Sequence, residues 1–189
     1  MSGATRKTAV FFDLQGTLGG ESLGDIRDFS FYPFSIEALR LIAAANLSIF
    51  FVTNQSRIAK GMLTQADFDA KTESILEELQ SSGVAITKVY CCPHLRIQHC
   101  NCKKPSVYFL KQAEAEFDIN LAGSYVMGDI YESDIIMAKT AGAKSILVLT
   151  GQGQNSLEIV KRRGKTLQPD FVADDALAAA KWILLDLSK

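Results

Sequence analysis

Residues 10–20, VFFDLQGTLGG, decide how the rest of the chain is interpreted. A short apolar run over residues 8–12 ends at Asp13, and Gly16, Thr17 and Leu18 follow shortly after it. Such a run predicts a buried strand, and ligands of parallel sheets bind beyond the carboxyl ends of the strands. Position 15 is glutamine, whose amide does not titrate near neutral pH. The stretch therefore predicts a strand-end carboxylate close to a side chain that cannot act as acid or base.

Length and composition are those of an ordinary globular domain. The chain has 189 residues, of which 48% are hydrophobic and 22% charged, so a single domain over 1–189 is expected. The net charge of −1 predicts neither nucleic acid nor an anionic membrane as a partner. No apolar run reaches the length of a membrane span, and the first apolar segment is too short for a signal peptide. We therefore expect a cytoplasmic protein, with a monomer favoured over an oligomer.

Segments typical of strands and helices alternate along the chain. The predicted strands are 8–12, 47–52, 88–91, 124–127, 145–149 and 171–173. The predicted helices are 35–45, 64–80, 107–117, 133–141 and 176–187, and residues 151–169 are expected to be irregular in part. The alternation predicts an α/β fold, a Rossmann-like three-layer sandwich with a mainly parallel central sheet. The connections are too short for a large cap domain.

Polar side chains follow the predicted strands at one edge of the sheet, where they are expected to meet in one crevice. They are Asp13 after the first strand, Thr53 and Asn54 after the second, Lys103 and Lys104 after the third, and Asp129 and Asp134 after the fourth. A carboxylate can attack phosphorus, Mg²⁺ suits oxygen ligands, and a hydroxyl and an ammonium can neutralise phosphoryl oxygens. Taken singly, each residue except Asp13 is better explained as a turn, cap or loop residue. Taken together, they predict phosphoryl transfer.

Four segments resemble, in the same order, the motifs of the haloacid dehalogenase-like phosphohydrolases. They are FDLQGTL (12–18), VTNQS (52–56), CKKP (102–105) and VMGDIYESD (126–134), and the resemblance spans residues 9–151. It implies a phosphatase with Asp13 as nucleophile, Lys104 as the orienting lysine and Thr53 as the phosphate-binding hydroxyl. Asn54, next to Thr53, is expected to bind substrate. It also implies Mg²⁺ held by Asp13, the backbone carbonyl of Gln15, Asp129 and Asp134.

All four cysteines lie within the short stretch CCPHLRIQHCNCKKP, residues 91–105. Three thiolates and one imidazole, from Cys92, His94, Cys100 and Cys102, make the closed tetrahedral set typical of structural Zn²⁺. Residues 91–104 are therefore predicted to form a zinc-binding loop that holds the neighbouring lysines over the crevice, with Cys91 and His99 as bystanders. The alternative is a group of reduced, partly buried cysteines without metal.

The cysteine-rich element is similar to that of two groups of the family, the heptose-bisphosphate phosphatases and the histidinol-phosphate phosphatases. The segment TNQSRIAKG favours the first group, whereas the five-residue spacer between His94 and Cys100 favours the second. Lys103 stands where both groups have arginine, and a lysine cannot hold a phosphate bidentately. The expected substrate is a small phosphorylated metabolite, of the sugar-phosphate or histidinol-phosphate type, bound in part by Lys103.

Gln15 leaves the activity open to several interpretations. In the family resembled, the residue at this position supplies a carbonyl to Mg²⁺ and a carboxyl as general acid and base, and Gln15 can supply only the carbonyl. General acid–base catalysis typically contributes about 10²- to 10⁴-fold. We favour a slowed but active phosphatase; the alternatives are a pseudo-enzyme that binds a phosphorylated ligand and an engineered Asp→Gln trapping variant. A purely structural zinc protein would leave Asp13, Lys104 and Asp129 unexplained.

Overall fold

The computed structural model describes residues 6–164 and 167–189 and contains one six-stranded sheet. The strands are β1 Ala9–Phe12, β2 Ser48–Asn54, β3 Lys88–Cys92, β4 Tyr125–Gly128, β5 Lys144–Val148 and β6 Phe171–Ala173. Their order is β3-β2-β1-β4-β5-β6, and every neighbouring pair is parallel. The chain builds outward in both directions from β1 and β4. The boundary between these two central strands is therefore a topological switch point, where such sheets bind ligands.

Helices cover both faces of the sheet. They are α1 Ser35–Ala44, α2 Ser56–Ala59, α3 Gln65–Ser81, α4 Tyr108–Phe117, α5 Ile136–Ala141, α6 Gly153–Lys161 and α7 Ala176–Leu187. Because side chains alternate along a strand, Phe12 and Phe51 pack with α1, α3 and α7, whereas Phe11 and Phe50 pack with α4 and α5. The predicted three-layer α/β fold with a parallel sheet is confirmed. The extent of a single domain over 1–189 stays a prediction.

The main difference from the predicted elements is α6, which lies in the stretch expected to be partly irregular. Its sequence is polar, and its apolar spacing is too sparse to indicate a helix. A hydroxyl anchors it instead: Ser156 Oγ donates to the carbonyl of Asp129 at 2.7 Å and accepts from the Tyr131 N–H at 3.0 Å. These partners are distant in the sequence, so the local pattern does not reveal the helix.

The connections between strands carry no large cap. Between β1 and β2 the chain forms a loop with one 3₁₀ turn, Ile26–Asp28, before α1. Between β2 and β3 it forms α2 and α3, and α3 begins with a capping box in which Thr64 and Asp67 bond reciprocally. None of the helices in the described ranges has the length and apolar character needed to cross a bilayer.

Packing between α1 and the sheet can be tested with a matched pair of leucines. Leu39 on α1 is fully buried, so Leu39→Ala should lower the free energy of unfolding by about 2–5 kcal/mol. Leu185 on α7 is 68% exposed, so Leu185→Ala should change it by less than about 0.5 kcal/mol. Urea denaturation measures both, and similar losses for the two variants would contradict this packing.

Candidate active site

Three carboxylates meet where β1 and β4 end. The N–H of Asp13 donates to the carbonyl of Met127 at 2.9 Å, which continues the β1–β4 pairing and fixes Asp13 beside Asp129. One carboxylate oxygen from each of Asp13, Asp129 and Asp134 lies within 4.8 Å of the others, and all three residues are buried. The structure thus brings together the three acidic residues singled out in the sequence.

Lys104 enters this cluster from the loop after β3. Its ammonium donates to Asp13 Oδ1 at 2.5 Å and to Asp134 Oδ1 at 2.7 Å, and its side chain is 3% exposed. Burial opposes the charge, but the two carboxylates outweigh it and raise the pKa of Lys104 above its ordinary value. The ammonium therefore stays charged and links two buried acids.

The side chain of Asn54 holds the backbone of Lys104 in place. Asn54 Oδ1 accepts from the Lys104 N–H at 3.1 Å, and Asn54 Nδ2 donates to the Lys104 carbonyl at 3.4 Å. Asn54 also lines a cavity that contains Asp13 and Lys104. Both ends of its amide thus bond the backbone of Lys104, which holds this lysine in position.

Asp134 reaches Lys104 because the chain after β4 forms an unusual turn. Tyr131–Ile135 is a π-helical turn, and Asp134 Oδ2 accepts from the Ile130 N–H at 3.0 Å. A Cβ on Gly128 would lie 2.3 Å from the Asp134 carboxyl carbon, so only glycine lets the side chain pack here. Nothing in the sequence pattern predicts this turn, and π-turns are frequent at functional sites.

Asp129 is bonded only to neutral donors among the described residues. Ser22 Oγ at 2.5 Å and the Gln152 N–H at 2.8 Å donate to its Oδ2, and Thr17 Oγ1 donates to its Oδ1 at 3.2 Å. Burial raises the pKa of Asp129 above its ordinary value, and burial raises that of Asp13 to about 7 although Lys104 lowers it. One ammonium against three carboxylates leaves the cluster short of positive charge.

A hard divalent cation fits this cluster. All the donors are oxygens, which Mg²⁺ prefers, and a double positive charge would offset the excess of carboxylates. The backbone also approaches closely: a Cβ on Gly16 or Gly151 would lie 2.4 Å or 2.3 Å from Asp129 Oδ2. Both glycines have positive φ, so a side chain at either position would be strained and would also crowd the carboxylate.

The side chain of Gln15 is buried and hydrogen-bonded at both ends. Its Oε1 accepts from Gln55 Nε2 at 2.8 Å, and its Nε2 donates to the carbonyl of Glu21 at 3.2 Å. Gln55 Nε2 also donates to Thr53 Oγ1 at 2.9 Å, which leaves the hydroxyl proton of Thr53 free for another acceptor. Gln55 lies within the VTNQS motif, but its own role is visible only in three dimensions.

The four predicted zinc ligands converge in the loop after β3. Cys92 Sγ lies 3.6 Å from Cys100 Sγ, and His94 Nδ1 lies 3.3 Å from Cys102 Sγ. One ligand atom from each of the four residues lies within 4.8 Å of the others, so the cluster could hold a metal ion. Cys91 packs in the core on the opposite face of the sheet from Cys92, because neighbouring strand residues point to opposite faces.

Lys103 lies between the cysteine cluster and the cavity. Its ammonium donates to Ser56 Oγ at 2.5 Å and to the carbonyl of His94 at 3.2 Å. The cavity has a volume of about 430 Å³, within the range of small-molecule sites. Its buried lining includes Asp13, Gln15, Thr53, Gln55 and Lys104, and its more exposed lining includes Leu23, Arg57, Lys60, Met62, Arg96 and Lys103.

Comparison with known proteins assigns the chain to a family. A family model described as HAD-hyrolase-like matches residues 101–179. The D-glycero-beta-D-manno-heptose-1,7-bisphosphate 7-phosphatase of Yersinia pestis is 32% identical over 190 residues, covering 95% of this chain and 91% of the relative. That of Haemophilus ducreyi is 36% identical over 156 residues, covering 77% and 85%. The chain therefore belongs to the haloacid dehalogenase-like hydrolases.

A solved structure agrees with this assignment. The D,D-heptose 1,7-bisphosphate phosphatase from B. bronchiseptica, complexed with magnesium and phosphate, superposes with a TM-score of 0.85 at 26% identity. The match covers 95% of this chain and 99% of that one. Since the relatives are phosphatases, the predicted enzyme class, a phosphoric monoester hydrolase, is confirmed.

The charge on Asp13 predicts a pH-dependent response to a divalent cation. Its pKa in the folded protein, about 7, lies above the ordinary 3.8, so Asp13 ionises less readily in the folded state than in the unfolded one. Without a cation, the free energy of unfolding should therefore fall as pH rises from about 4 to about 7. A cation held by the carboxylates should restore that stability where Asp13 is ionised. Adding Mg²⁺ to Mg²⁺-free protein should raise the melting temperature more at about pH 8 than at about pH 5. An equal rise at both values, at matched ionic strength, would contradict this.

Proposed function

We propose that the protein is a Mg²⁺-dependent phosphatase that acts on a small phosphorylated metabolite through an aspartyl-phosphate on Asp13. The observation that carries the proposal is the linkage of Asp13 and Asp134 by the buried ammonium of Lys104 at the β1–β4 switch point. A purely structural ion pair would not need Asp129, a third carboxylate that has no cationic partner among the described residues. A phosphoryl-transfer site needs both the lysine and an excess of oxygen ligands.

Each role follows from a contact. Asp13 attacks phosphorus, the bond from phosphorus to the ester oxygen breaks, and the departing alkoxide takes its proton from solvent. Lys104 and the free hydroxyl proton of Thr53 neutralise the phosphoryl oxygens. Water then attacks the same phosphorus and frees Asp13, releasing inorganic phosphate. Asp134 and Asn54 act by positioning Lys104.

The proposed magnesium ligands are Asp13, the carbonyl oxygen of Gln15, Asp129 and Asp134. Bound there, Mg²⁺ offsets the repulsion between the nucleophile and the anionic phosphate. The proposed zinc ligands are Cys92, His94, Cys100 and Cys102. With three thiolates and an imidazole the set leaves no position for water, which is the structural pattern. Zinc would fix the loop that carries Lys103 and Lys104.

Gln15 is expected to slow both chemical steps. Its amide cannot give a proton to the leaving alcohol or take one from water, and both ends of the amide already have partners. A good leaving group needs no proton for the first step, so aryl phosphates should react more readily than alkyl phosphates. The same bonded amide is the observation that favours the second candidate, a pseudo-enzyme that binds a phosphorylated ligand without turnover. An engineered Asp→Gln trapping variant would behave in the same way.

The exposed part of the cavity favours a substrate with a second anionic group. Its lining contains four basic residues and one acidic residue, Glu132. The basic residues are Arg57, Lys60, Arg96 and Lys103. Cations would repel the ammonium of a histidinol phosphate and attract a second phosphate. Because the relatives are heptose-bisphosphate phosphatases, we propose a sugar bisphosphate as the starting candidate and a role in carbohydrate metabolism, with Lys103 and the other cations binding the distal phosphate.

The role of Gln15 is tested by restoring a carboxyl at this position. With Mg²⁺, the protein should hydrolyse an aryl phosphate slowly, and Gln15→Asp should accelerate hydrolysis by up to about 10²- to 10⁴-fold. The gain should be larger for an alkyl phosphate, whose leaving group needs the proton. Gln15→Asn, which shortens the side chain without adding a carboxyl, is the control and should give no gain. Equal rates for the Asp and Asn variants would argue against the assignment.

The cysteine cluster is tested by elemental analysis of protein purified without chelator. About one zinc per chain is expected. Cys100→Ser should lose most of the zinc because it removes one of four ligands, whereas Cys91→Ser should keep it. If the two variants retained the same zinc content, the proposed ligand set would be wrong.

A further inference from the structure

Two large apolar side chains lie exposed at the mouth of the cavity. Leu23, in the loop between β1 and α1, is 75% exposed, and Met62, between α2 and α3, is 51% exposed. Both line the cavity that contains Asp13 and Lys104. A single exposed leucine needs no explanation. Leu23 and Met62 lie on separate segments but line one cavity, so together they offer an apolar surface to a bound ligand.

Hydrogen bonds hold these two segments in place. Arg57 Nε donates to the carbonyl of Gly24 at 3.0 Å, and Arg27 Nη2 donates to the carbonyl of Met62 at 3.2 Å. Asp25 lies between the two arginines, 2.7 Å from Arg27 Nη2 and 3.7 Å from Arg57 Nη1. Arg57, which precedes Met62, thus bonds the carbonyl of the residue after Leu23. Arg27, which follows Leu23, bonds the carbonyl of Met62 itself. Hydrogen bonds between the two segments therefore fix the backbone that carries both apolar side chains.

Cations surround the same mouth. Arg96 and Lys60 line the cavity, and within the described residues neither forms an ion pair within 4 Å. Ligand sites combine apolar surface with a few placed polar groups. The apolar pair and the cations together match a ligand that has an apolar face and a second negative charge. A fully hydroxylated sugar offers the charge but little of the apolar face.

We propose that Leu23 and Met62 determine leaving-group specificity by contacting an aromatic or aliphatic face of the substrate. The preferred substrate is then a bisphosphate whose body carries such a face, of the nucleoside bisphosphate class, rather than a plain sugar bisphosphate. This rests on the proposed phosphatase function and replaces the starting candidate, a plain sugar bisphosphate, with one whose sugar also carries a base. The reaction is hydrolysis: one monoester bond from phosphorus to oxygen breaks, water is consumed, and inorganic phosphate and a nucleoside monophosphate are released.

The test compares two bisphosphates in the presence of Mg²⁺, with binding followed by calorimetry and turnover by phosphate release. Adenosine 3′,5′-bisphosphate represents the proposed class, and fructose 1,6-bisphosphate represents the plain sugars. The native protein should bind the nucleoside compound roughly tenfold more tightly. Leu23→Asn and Met62→Gln should each reduce that ratio by roughly fivefold or more, since each removes apolar contact. Leu185 is a leucine outside the cavity whose exposure, 68%, lies between those of Leu23 and Met62, and Leu185→Asn should leave the ratio unchanged.

Binding and turnover separate the two proposals. A native preference for the sugar bisphosphate, or a ratio that neither mouth variant changes, would overturn the specificity proposal even if phosphate is released. Absence of phosphate release from every compound, including an aryl phosphate with the Gln15→Asp variant, would overturn the phosphatase proposal. The binding ratio would still decide whether Leu23 and Met62 select the ligand.

Discussion

The ion pair that Lys104 forms with Asp13 and Asp134 is the interaction on which the rest of the site depends. A buried charge that loses its partner costs about 3–5 kcal/mol, so the fold must hold the lysine reliably. Asn54 bonds the backbone of Lys104, and the π-turn presents Asp134 to its ammonium. The four residues of the cysteine cluster converge in the loop just before Lys104. The loop that carries the cysteine cluster and the π-turn thus both help to place the ammonium of Lys104 beside Asp13.

Carboxylates outnumber the ammonium around that ion pair, which makes the site suited to a divalent cation. Asp129 has neutral hydrogen-bond donors but no ammonium among the described residues, and burial raises its pKa and that of Asp13. Three carboxylates and one ammonium carry a net charge of −2, which one divalent cation would balance. Gln15 does not disturb this arrangement, because its amide is neutral and packs against Gln55. In the proposed mechanism, an amide at position 15 removes proton transfer but leaves Asp13, Lys104 and Asp129 in place.

Most of the fold and much of the site could be predicted from the sequence, because both rest on local patterns. Buried parallel strands read as short apolar runs, and the residues just after them are brought together by topology, so Asp13, Asp129 and Lys104 could be placed beforehand. The features that were not predicted depend on distant partners. Helix α6 is anchored by Ser156 to residues after β4, Gln55 meets Gln15 across two strands, and Asn54 bonds a backbone fifty positions away. The exposed apolar side chains of Leu23 and Met62 can be recognised as part of one surface only once the cavity is formed.

The most direct test of covalent catalysis on Asp13 is to trap the phosphorylated chain. The protein is mixed with an aryl phosphate and Mg²⁺, quenched in acid, reduced with borohydride and sequenced by mass spectrometry. Reduction converts an acyl-phosphorylated aspartate to homoserine. Homoserine is therefore expected at position 13, with higher occupancy in the native chain than in Gln15→Asp. Release of phosphate with unmodified Asp13 throughout, or homoserine at another aspartate, would contradict it.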